Sequence, residues 1–229
     1  AMPDTVRTKR ASAGDGREHL SPSFSGALAG IRVLDLTSMW AGPYCTRLLA
    51  DAGAEVAKIE LATRPDGTRR SALNTAAAAP PALDPGPFFR ELNRNKYGVT
   101  LDLRTAADRE RFCRLVALSD VVVENFSPRV MPNLGLDYAA LRAMRPDIVM
   151  LSMPAFGGTG PYRHAVAFGS GLEAMSGLSA LSGYPAGPPA LLGVAYGDPA
   201  AGLHGAVAVL AALEHRQRTG KGQHIDLAQ

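Results

Sequence analysis

A strand, a helix and a second strand follow one another near residue 30, and this order constrains the fold more than any other feature of the sequence. The run Ile31–Leu36 indicates a strand, Thr37–Gly53 a helix closed by glycine, and Ala54–Glu60 a second strand. Pro43 is predicted to occupy the first position of that helix. Such a unit places its two strands parallel. We therefore predict an α/β fold, a Rossmann-like parallel sheet with flanking helices.

The same alternation continues along the chain. Thr105 is a suitable cap for an amphipathic helix, and Asp120–Glu124 is so apolar that this strand should be buried on both faces. The last long segment, from about Ala200 to Arg216, has the composition of an apolar helix. The other predicted elements are strands at Tyr97–Leu103 and Ile148–Pro154 and a helix of small residues at Gly169–Ser182.

Two segments lack this pattern. Residues 1–26 have almost no apolar spacing and are predicted to form a disordered tail, whereas residues 27–229 are predicted to form one domain. Thr63–Pro87 is rich in Ala, Pro, Gly and Arg, which predicts a mobile surface loop.

The sequence stops soon after HIDLA, the start of another strand or helix, so we expect further polypeptide after Gln229.

Composition narrows the classes of function. No apolar run is long enough to cross a bilayer, and the first thirty residues lack the apolar core of a signal peptide. Cys45 and Cys113 are expected to be reduced thiols, no metal-ligand spacing is present, and the basic residues behind the net charge of +3 are scattered. We therefore expect a cytoplasmic protein without a metal site, a membrane partner or a nucleic-acid partner.

Asp198 stands between Gly197 and Pro199, immediately before the last long helix. This spacing predicts a carboxylate on a tight turn, where an ionised side chain is easily presented to a ligand. Aspartate is also a favoured N-cap residue, so the local sequence leaves capping and ligand contact as alternatives. Neither G-x-G-x-x-G nor a P-loop lysine motif is present, so a dinucleotide or nucleotide-triphosphate fingerprint is absent.

Several segments, taken in order, resemble one family. They are LAGIRVLDLTSMWAGP, LLADAGAEVAKIE, NRNKYGVTLDL, SDVVVENFSPRVMPNLGLDY, GYPAGPPALLGVAYGDPAAG and LAALEHRQRTGKGQ. Between Leu28 and Gln229 the chain is similar to the class III CoA-transferases, the CaiB/BaiF family. The resemblance implies the first part of a large Rossmann-like CoA-binding domain, truncated relative to the family. It also implies coenzyme A or an acyl-CoA as substrate, no covalently bound cofactor, a carboxylic acid as second substrate, and an interlocked homodimer or a missing C-terminal complement.

The resemblance also assigns the site residues. The aspartate nucleophile of the transferases falls on Asp198, with Gly197 and Gly202 as matching flanking glycines. The loop Val166–Gly169 is implied to belong to the same site. The residues implied to hold CoA are Trp40, Ala41, Leu101, Asp102, Leu103, Arg104, Asn125, Phe126, Ser127, Phe168 and Gly169.

Three positions depart from particular branches of the family. Trp40 stands where oxalate-using members have glutamine, and Leu61 stands where they have a CoA-contacting arginine, which argues against oxalate or formate as substrates. The related α-methylacyl-CoA racemases pair an aspartate with a histidine, and Phe168 occupies that histidine position. Because phenylalanine cannot carry a proton, a racemase fits the sequence less well than a transferase does.

Three hypotheses therefore remain: a CoA-transferase with Asp198 as nucleophile, a non-catalytic CoA-binding or scaffolding half completed by another polypeptide, and a racemase. A transferase needs N–H donors for an oxyanion, which we expect at the start of the last helix and in Phe156–Gly160. Glu173 is predicted to be a solvated helix charge. Lys96 and Arg104 are predicted to be ordinary surface cations, with contact to a phosphate group as the alternative for either.

Overall fold

The computed structural model describes residues 26–70 and 86–229. Within these ranges six strands form one parallel sheet in the order β3, β2, β1, β4, β5, β6. The strands are β1 (Arg32–Asp35), β2 (Glu55–Glu60), β3 (Lys96–Thr100), β4 (Val121–Glu124), β5 (Val149–Ser152) and β6 (His224–Asp226). The helices are α1 (Ala41–Asp51), α2 (Pro87–Asn93), α3 (Ala106–Ala117), α4 (Val130–Asn133), α5 (Tyr138–Met144), α6 (Gly169–Met175), α7 (Leu178–Leu181) and α8 (Gly197–Thr219), with a 3-10 helix at Gly67–Arg70. The predicted α/β fold with a parallel sheet is confirmed.

The βαβ unit that begins the sheet has the predicted form. β1 and β2 run parallel, with Val33 opposite Val56, and α1 connects them. The helix begins at Ala41, after Trp40 as N-cap, so Pro43 occupies its third position rather than the predicted first. β1 lies between β2 and β4, and the strand order reverses there. This reversal point matters for function, because ligands of such sheets bind beside it.

Helices cover both faces of the sheet. On one face α1 and α8 pack through a core that includes Cys45 and Val209. On the other face α3, α4 and α5 pack around Phe112, and β4 between the two cores is buried along its whole length, as predicted. Thr105 caps α3 by accepting a hydrogen bond from Asp108 N, as predicted. Across the described part of the chain, no helix has the length and apolarity that a membrane span needs.

Two elements differ from the sequence prediction, and a third takes one of its two predicted forms. The small-residue segment forms two helices, because Gly177 adopts a left-handed φ of +83° through which an α-helix cannot continue. The short helix α2, which begins at Pro87, was not predicted, since seven residues give no clear period. The HIDLA segment is a strand, β6, which pairs with β5 through Ile225 opposite Leu151.

Part of the predicted mobile loop is packed structure. Asp66 and Thr68 are buried, and Asp66 forms an ion pair with Lys58 on β2. The prediction of a mobile surface loop is therefore wrong for Asp66 and Thr68, since a strand lysine binds this segment to the sheet. The predicted tail up to residue 25, and residues 71–85 of the predicted loop, lie outside the described residues.

Candidate active site

The connections that follow β1 and β4 meet at the point where the strand order reverses. Asn125, directly after β4, accepts a hydrogen bond from Ser38 N at 2.9 Å and donates one to Ser38 O at 2.8 Å. Trp40 and Ala41 follow Ser38 at the start of α1. Ligands of open α/β sheets bind beyond the carboxyl ends of the strands at such a reversal. Three of the residues implied to hold CoA therefore lie where this class of fold binds ligands.

Asp198 lies at a junction of helix amino ends. The backbone N–H groups of Gly169 and Ala41 lower the pKa of its carboxylate, and Gly169 packs directly against its Oδ2 atom. Ala41 is the first residue of α1, Gly169 is the first residue of α6, and Asp198 itself is in the first turn of α8. The positive ends of helix dipoles stabilise negative charge, so the arrangement suits an anion at this carboxylate.

Asp198 does not cap α8. The N-cap residue is Tyr196, which has no side-chain capping bond, and Asp198 is the second residue inside the helix rather than a turn residue before it. The backbone N–H of Asp198 donates to Ala195 O at 3.1 Å. The capping interpretation is therefore wrong: the carboxylate is directed at neighbouring helices and not at the amides of its own helix.

Two glycines permit this close approach. A Cβ atom at residue 169 would overlap Oδ2 of Asp198. A Cβ atom at Gly202, one turn further along α8, would lie only 2.7 Å from Ala41 O. Residues with side chains at these two positions would push the starts of α1, α6 and α8 apart.

Asp198 is partly buried without a cation beside it. Burial raises its pKa above the ordinary 3.8, and the N–H groups of Gly169 and Ala41 offset only part of the rise. In residues 26–70 and 86–229, no lysine, arginine or histidine forms an ion pair with this carboxylate. A desolvated carboxylate that is not tied to a cation keeps its oxygen lone pairs available for reaction.

Glu173 holds the segment that leads into Asp198. Its side chain is 2% exposed and accepts hydrogen bonds from Leu192 N at 3.2 Å and Tyr196 N at 2.8 Å. The prediction of a solvated helix charge is wrong, because this side of α6 faces the segment before α8. The two N–H groups replace the water that a buried carboxylate loses. Glu173 thereby ties α6 to the start of α8.

Two aromatic side chains stand beside the helix starts. Trp40 packs edge-to-face on Phe88 with ring centroids 5.2 Å apart. Phe168, the N-cap of α6, is 66% exposed. Each precedes the residue whose N–H faces Asp198. Exposed aromatic surface beside a buried polar group is suited to a ligand that has both apolar and polar parts.

The remaining residues implied to hold CoA lie on other connections. Leu101–Arg104 follow β3, two strands away from β1, and Arg104 is an exposed cation, as predicted, paired with Asp102 at 2.8 Å. Among the described residues, none of these four has a hydrogen bond or ion pair with α1, α6 or α8. Phe126 packs beside the second core, and Ser127 begins the turn into α4.

Lys96 is not the surface cation that was predicted. Its Nζ is buried and donates three hydrogen bonds of 2.9 Å, one of them to Asp35 Oδ2. Burial alone would raise the pKa of Asp35, but the charges of Lys96 and Lys58 lower it to about 2. The hydroxyl groups of Thr37 and Thr46 also donate to this carboxylate. Asp35 is thus a fully paired structural carboxylate.

One of the predicted oxyanion donors is already bonded. Gly158 N, in the Phe156–Gly160 segment, donates to both carboxylate oxygens of Asp226, at 2.9 and 2.8 Å. The donors that reach Asp198 are the N–H groups of Gly169 and Ala41. Sequence analysis did not assign them this role, because only the tertiary fold brings the starts of α1 and α6 to α8.

Comparison with known proteins identifies the family. The profile of CoA-transferase family III matches residues 28–229. The alpha subunit of succinyl-CoA–L-malate CoA-transferase from Chloroflexus aurantiacus is 41% identical over 215 residues, which cover 93% of this chain and 48% of that protein. Succinyl-CoA:mesaconate CoA-transferase from Haloarcula hispanica is 40% identical over 213 residues, which cover 89% of this chain and 52% of that protein.

A solved structure leads to the same family. A CaiB/BaiF family protein from Brucella suis matches with a TM-score of 0.82 and 38% identity, over 89% of this chain and 53% of that one. The chain spans about half the length of the relatives it matches. On the profile match and the shared fold, this chain belongs to CoA-transferase family III, the CaiB/BaiF family.

Proposed function

We propose that this chain carries the nucleophile of a CoA-transferase, which moves CoA between an acyl-CoA thioester and a carboxylic acid. One observation carries the proposal: the Asp198 carboxylate, without a cation partner in the described residues, lies at the first residues of two other helices, whose N–H groups lower its pKa. The reaction needs an unblocked carboxylate, N–H donors for developing charge, and exclusion of water. Asp198, Ala41 and Gly169 supply the first two.

In the proposed reaction an oxygen of Asp198 attacks the thioester carbon and expels CoA as a thiolate, which leaves a mixed anhydride. The thiolate attacks Cγ of Asp198, releases the first acid as its carboxylate and leaves CoA as an aspartyl thioester. A second carboxylate attacks this thioester and forms a new anhydride and free thiolate. Attack of the thiolate on the new acyl carbon gives the new acyl-CoA and restores Asp198. Each step exchanges one acyl bond for another, so no oxidant or reductant is consumed.

The N–H groups of Ala41 and Gly169 are proposed to act at the two steps in which Cγ of Asp198 is attacked. Each attack turns a carboxyl oxygen into an oxyanion. The two donors already face the carboxylate in the resting chain, so they need no reorganisation. Removing one such donor typically raises the activation free energy by about 3 kcal/mol.

CoA is proposed to lie along the carboxyl edge of the sheet. The residues implied to hold it follow β1, β3 and β4 or begin α6. Trp40 and Phe168 offer aromatic surface beside the helix starts. Arg104, exposed at the end of β3, presents a guanidinium of the kind that meets phosphate groups.

The names of the relatives suggest the substrate class. Two of them are named as transferases of succinyl-CoA with malate or mesaconate as the second acid. We therefore propose succinyl-CoA as the acyl donor and a short dicarboxylic acid as the acceptor. Trp40, in the position where oxalate-using members have glutamine, supports an acid other than oxalate.

A non-catalytic CoA-binding half is the second candidate, and the surface of α8 favours it. The chain spans about half the length of its relatives, and α8 exposes Leu203, Val207 and Leu210. These residues recur at i, i+4 and i+7, so they form one apolar stripe on the helix. We propose that polypeptide corresponding to the other half of the relatives covers this stripe and completes the site. The homodimer implied by the family resemblance stays a prediction.

Intact-mass spectrometry after incubation with acyl-CoA thioesters tests the proposed chemistry. The panel contains succinyl-CoA, glutaryl-CoA and acetyl-CoA, each added to the native chain and to Asp198→Asn. We expect an acyl or CoA adduct on the native chain with succinyl-CoA and none on the variant. Glu110→Gln is the matched control, because it removes an exposed carboxylate on the opposite face of the sheet and should leave the adduct unchanged.

The outcomes separate the two candidates. An equal adduct on Asp198→Asn would contradict the assignment of the nucleophile. An adduct that forms only after the complementary polypeptide is added would support a site completed by that polypeptide. Absence of any adduct on the folded chain, with and without the complement, would overturn the transferase proposal.

A further inference from the structure

A buried ion pair lies beneath the connection between β1 and α1. Lys58 Nζ and Asp66 Oδ2 are 3.0 Å apart, and the two side chains are 2% and 1% exposed. Removing two charges from water is unfavourable, and apolar residues often stabilise such buried places as well as an ion pair or better. The other contacts of the pair therefore indicate what it does that apolar residues would not.

Each partner holds a different backbone group of the connection. Lys58 Nζ donates to Thr37 O at 2.9 Å. Asp66 Oδ1 accepts a hydrogen bond from Met39 N at 3.3 Å. Ser38, between them, is held on both its N–H and its carbonyl by the side chain that follows β4. Three consecutive residues are thus fixed by side chains from three separate segments.

Met39 needs this support because its backbone is strained. Its φ is +72°, in the left-handed region that is unfavourable for a non-glycine residue and persists only where the surroundings impose it. The clamp on Met39 is itself rigid: Asp66 N donates to Glu60 Oε1 at 3.0 Å, and Arg69 bridges to Glu60 at 2.6 Å. A Cβ atom at Gly67 would lie 2.7 Å from the sulfur of Met39, so the backbone packs directly against it.

The strained residue stands two positions before Ala41. A change in φ at Met39 would swing Trp40 and Ala41 together, because α1 begins there. We propose that Lys58 and Asp66 are positioning residues that hold the β1–α1 connection so that the Ala41 N–H faces the Asp198 carboxylate. The role of the Ala41 N–H in catalysis rests on the proposed function, whereas its position beside the Asp198 carboxylate does not.

Titration of the chain by NMR tests the inference without any substrate. The amide proton of Ala41 should shift as Asp198 loses its proton, since the Ala41 N–H lies near enough to that carboxylate to lower its pKa. The test variant is Lys58→Met with Asp66→Leu, which removes both contacts to the connection and leaves no unpaired charge. The control is Arg32→Met with Glu55→Gln. It removes a half-exposed 3.2 Å ion pair between the amino ends of β1 and β2.

In the test variant we expect loss of the Ala41 response and a midpoint for Asp198 at higher pH, because one N–H donor no longer favours the ionised form. The control should keep the response and the midpoint of the native chain. Lys58→Met with Asp66→Asn restores an acceptor for Met39 N and should recover part of the response. A merely structural pair would lower stability and leave both readouts unchanged.

Two results would overturn the inference. One is a folded Met/Leu variant whose Ala41 amide still follows Asp198 with the native midpoint. If that variant does not fold, the other is a folded Met/Asn variant with both readouts unchanged, although the Lys58–Thr37 bond is gone. Neither depends on catalysis: if Asp198→Asn still formed an adduct, the proposed function would fail while the positioning result stood.

Discussion

The helix α1 touches two buried or partly buried aspartates that have opposite surroundings. At its second turn, Thr46 donates to Asp35, which is also 2.9 Å from the ammonium of Lys96. At its first residue, the N–H of Ala41 lowers the pKa of Asp198, which has no cation beside it in the described ranges. Burial opposes ionisation at both sites, yet the pKa of Asp35 falls to about 2 whereas the pKa of Asp198 rises. The two pKa values move in opposite directions because lysines lie beside Asp35 and no cation lies beside Asp198 in the described ranges.

The comparison separates a structural carboxylate from a reactive one. Asp35 is neutralised by a cation and by hydroxyl donors, so its charge stabilises the fold and its oxygens are occupied. Asp198 is held only by neutral N–H donors, which orient the carboxylate and leave its reactivity intact. Ionisation of Asp198 therefore lowers the stability of the fold, whereas ionisation of Asp35 raises it, as expected where function and stability compete.

Removing the charge of Asp35 should have the largest effect, and this effect is on the free energy of unfolding. Asp35→Asn leaves the buried ammonium of Lys96 without its counter-charge, which should lower the free energy of unfolding by about 3–5 kcal/mol. Urea unfolding followed by circular dichroism measures the loss. The same change at Asp198 should cause no such loss. Equal destabilisation by the two variants would contradict the distinction between the sites.

The next effect concerns the contact that orients Asp198. Gly169→Ala places a methyl group into the carboxylate and into Ala195, so it should cost about 1–3 kcal/mol of stability. Gly171→Ala in the same helix is the control, since its Cβ meets only Ala167 at 3.5 Å, and it should be neutral or stabilise by up to about 1 kcal/mol. Thermal unfolding of both variants checks the contrast, which a similar effect of the two substitutions would refute.

Acid should lower the stability of the folded chain by protonating Asp35. Its folded pKa of about 2 lies below the ordinary 3.8, so its contribution to stability is present above about pH 4 and is lost as the pH falls towards 2. Denaturant unfolding measured between pH 6 and pH 2 should therefore show a steeper loss for the native chain than for Asp35→Asn. Parallel curves would show that Asp35 is not a paired carboxylate in the folded chain.

The smallest expected effect is at Asp198. Because its pKa is raised in the folded chain, ionisation disfavours folding, and this cost grows as the pH rises above 3.8. Asp198→Asn should thus be somewhat more stable than the native chain at pH 7, and the difference should vanish near pH 3. A variant that is less stable than the native chain at pH 7 would indicate that Asp198 is structural.

Local sequence predicted the sheet better than it predicted the charges. The periodicity of residues 31–60 and the apolar run of β4 identify parallel strands, because both signals lie within a few residues. Lys96 and Glu173 were both predicted to be solvated and are buried. Asp35, which accepts a hydrogen bond from Lys96, is 61 residues away in sequence, so no local pattern predicts this contact.

The candidate site was predictable only in part for the same reason. Asp198 is marked by its Gly-Asp-Pro setting and by the family resemblance. The donors at Ala41 and Gly169 are main-chain N–H groups, which every sequence position carries, so their role depends on where three helices begin. Likewise, nothing in the sequence marks Met39 as the strained residue that Asp66 holds.

The proposed nucleophile is identified most directly by trapping the activated carboxyl group of Asp198 with hydroxylamine, followed by peptide mapping. Hydroxylamine attacks an aspartyl anhydride or thioester at Cγ and leaves a stable hydroxamate on the residue that carried it. The account predicts a hydroxamate on Asp198 after incubation with succinyl-CoA, with the complementary polypeptide present if it is required, and none without the thioester. A hydroxamate on Glu173, Glu124 or another carboxylate, with Asp198 unmodified, would contradict it.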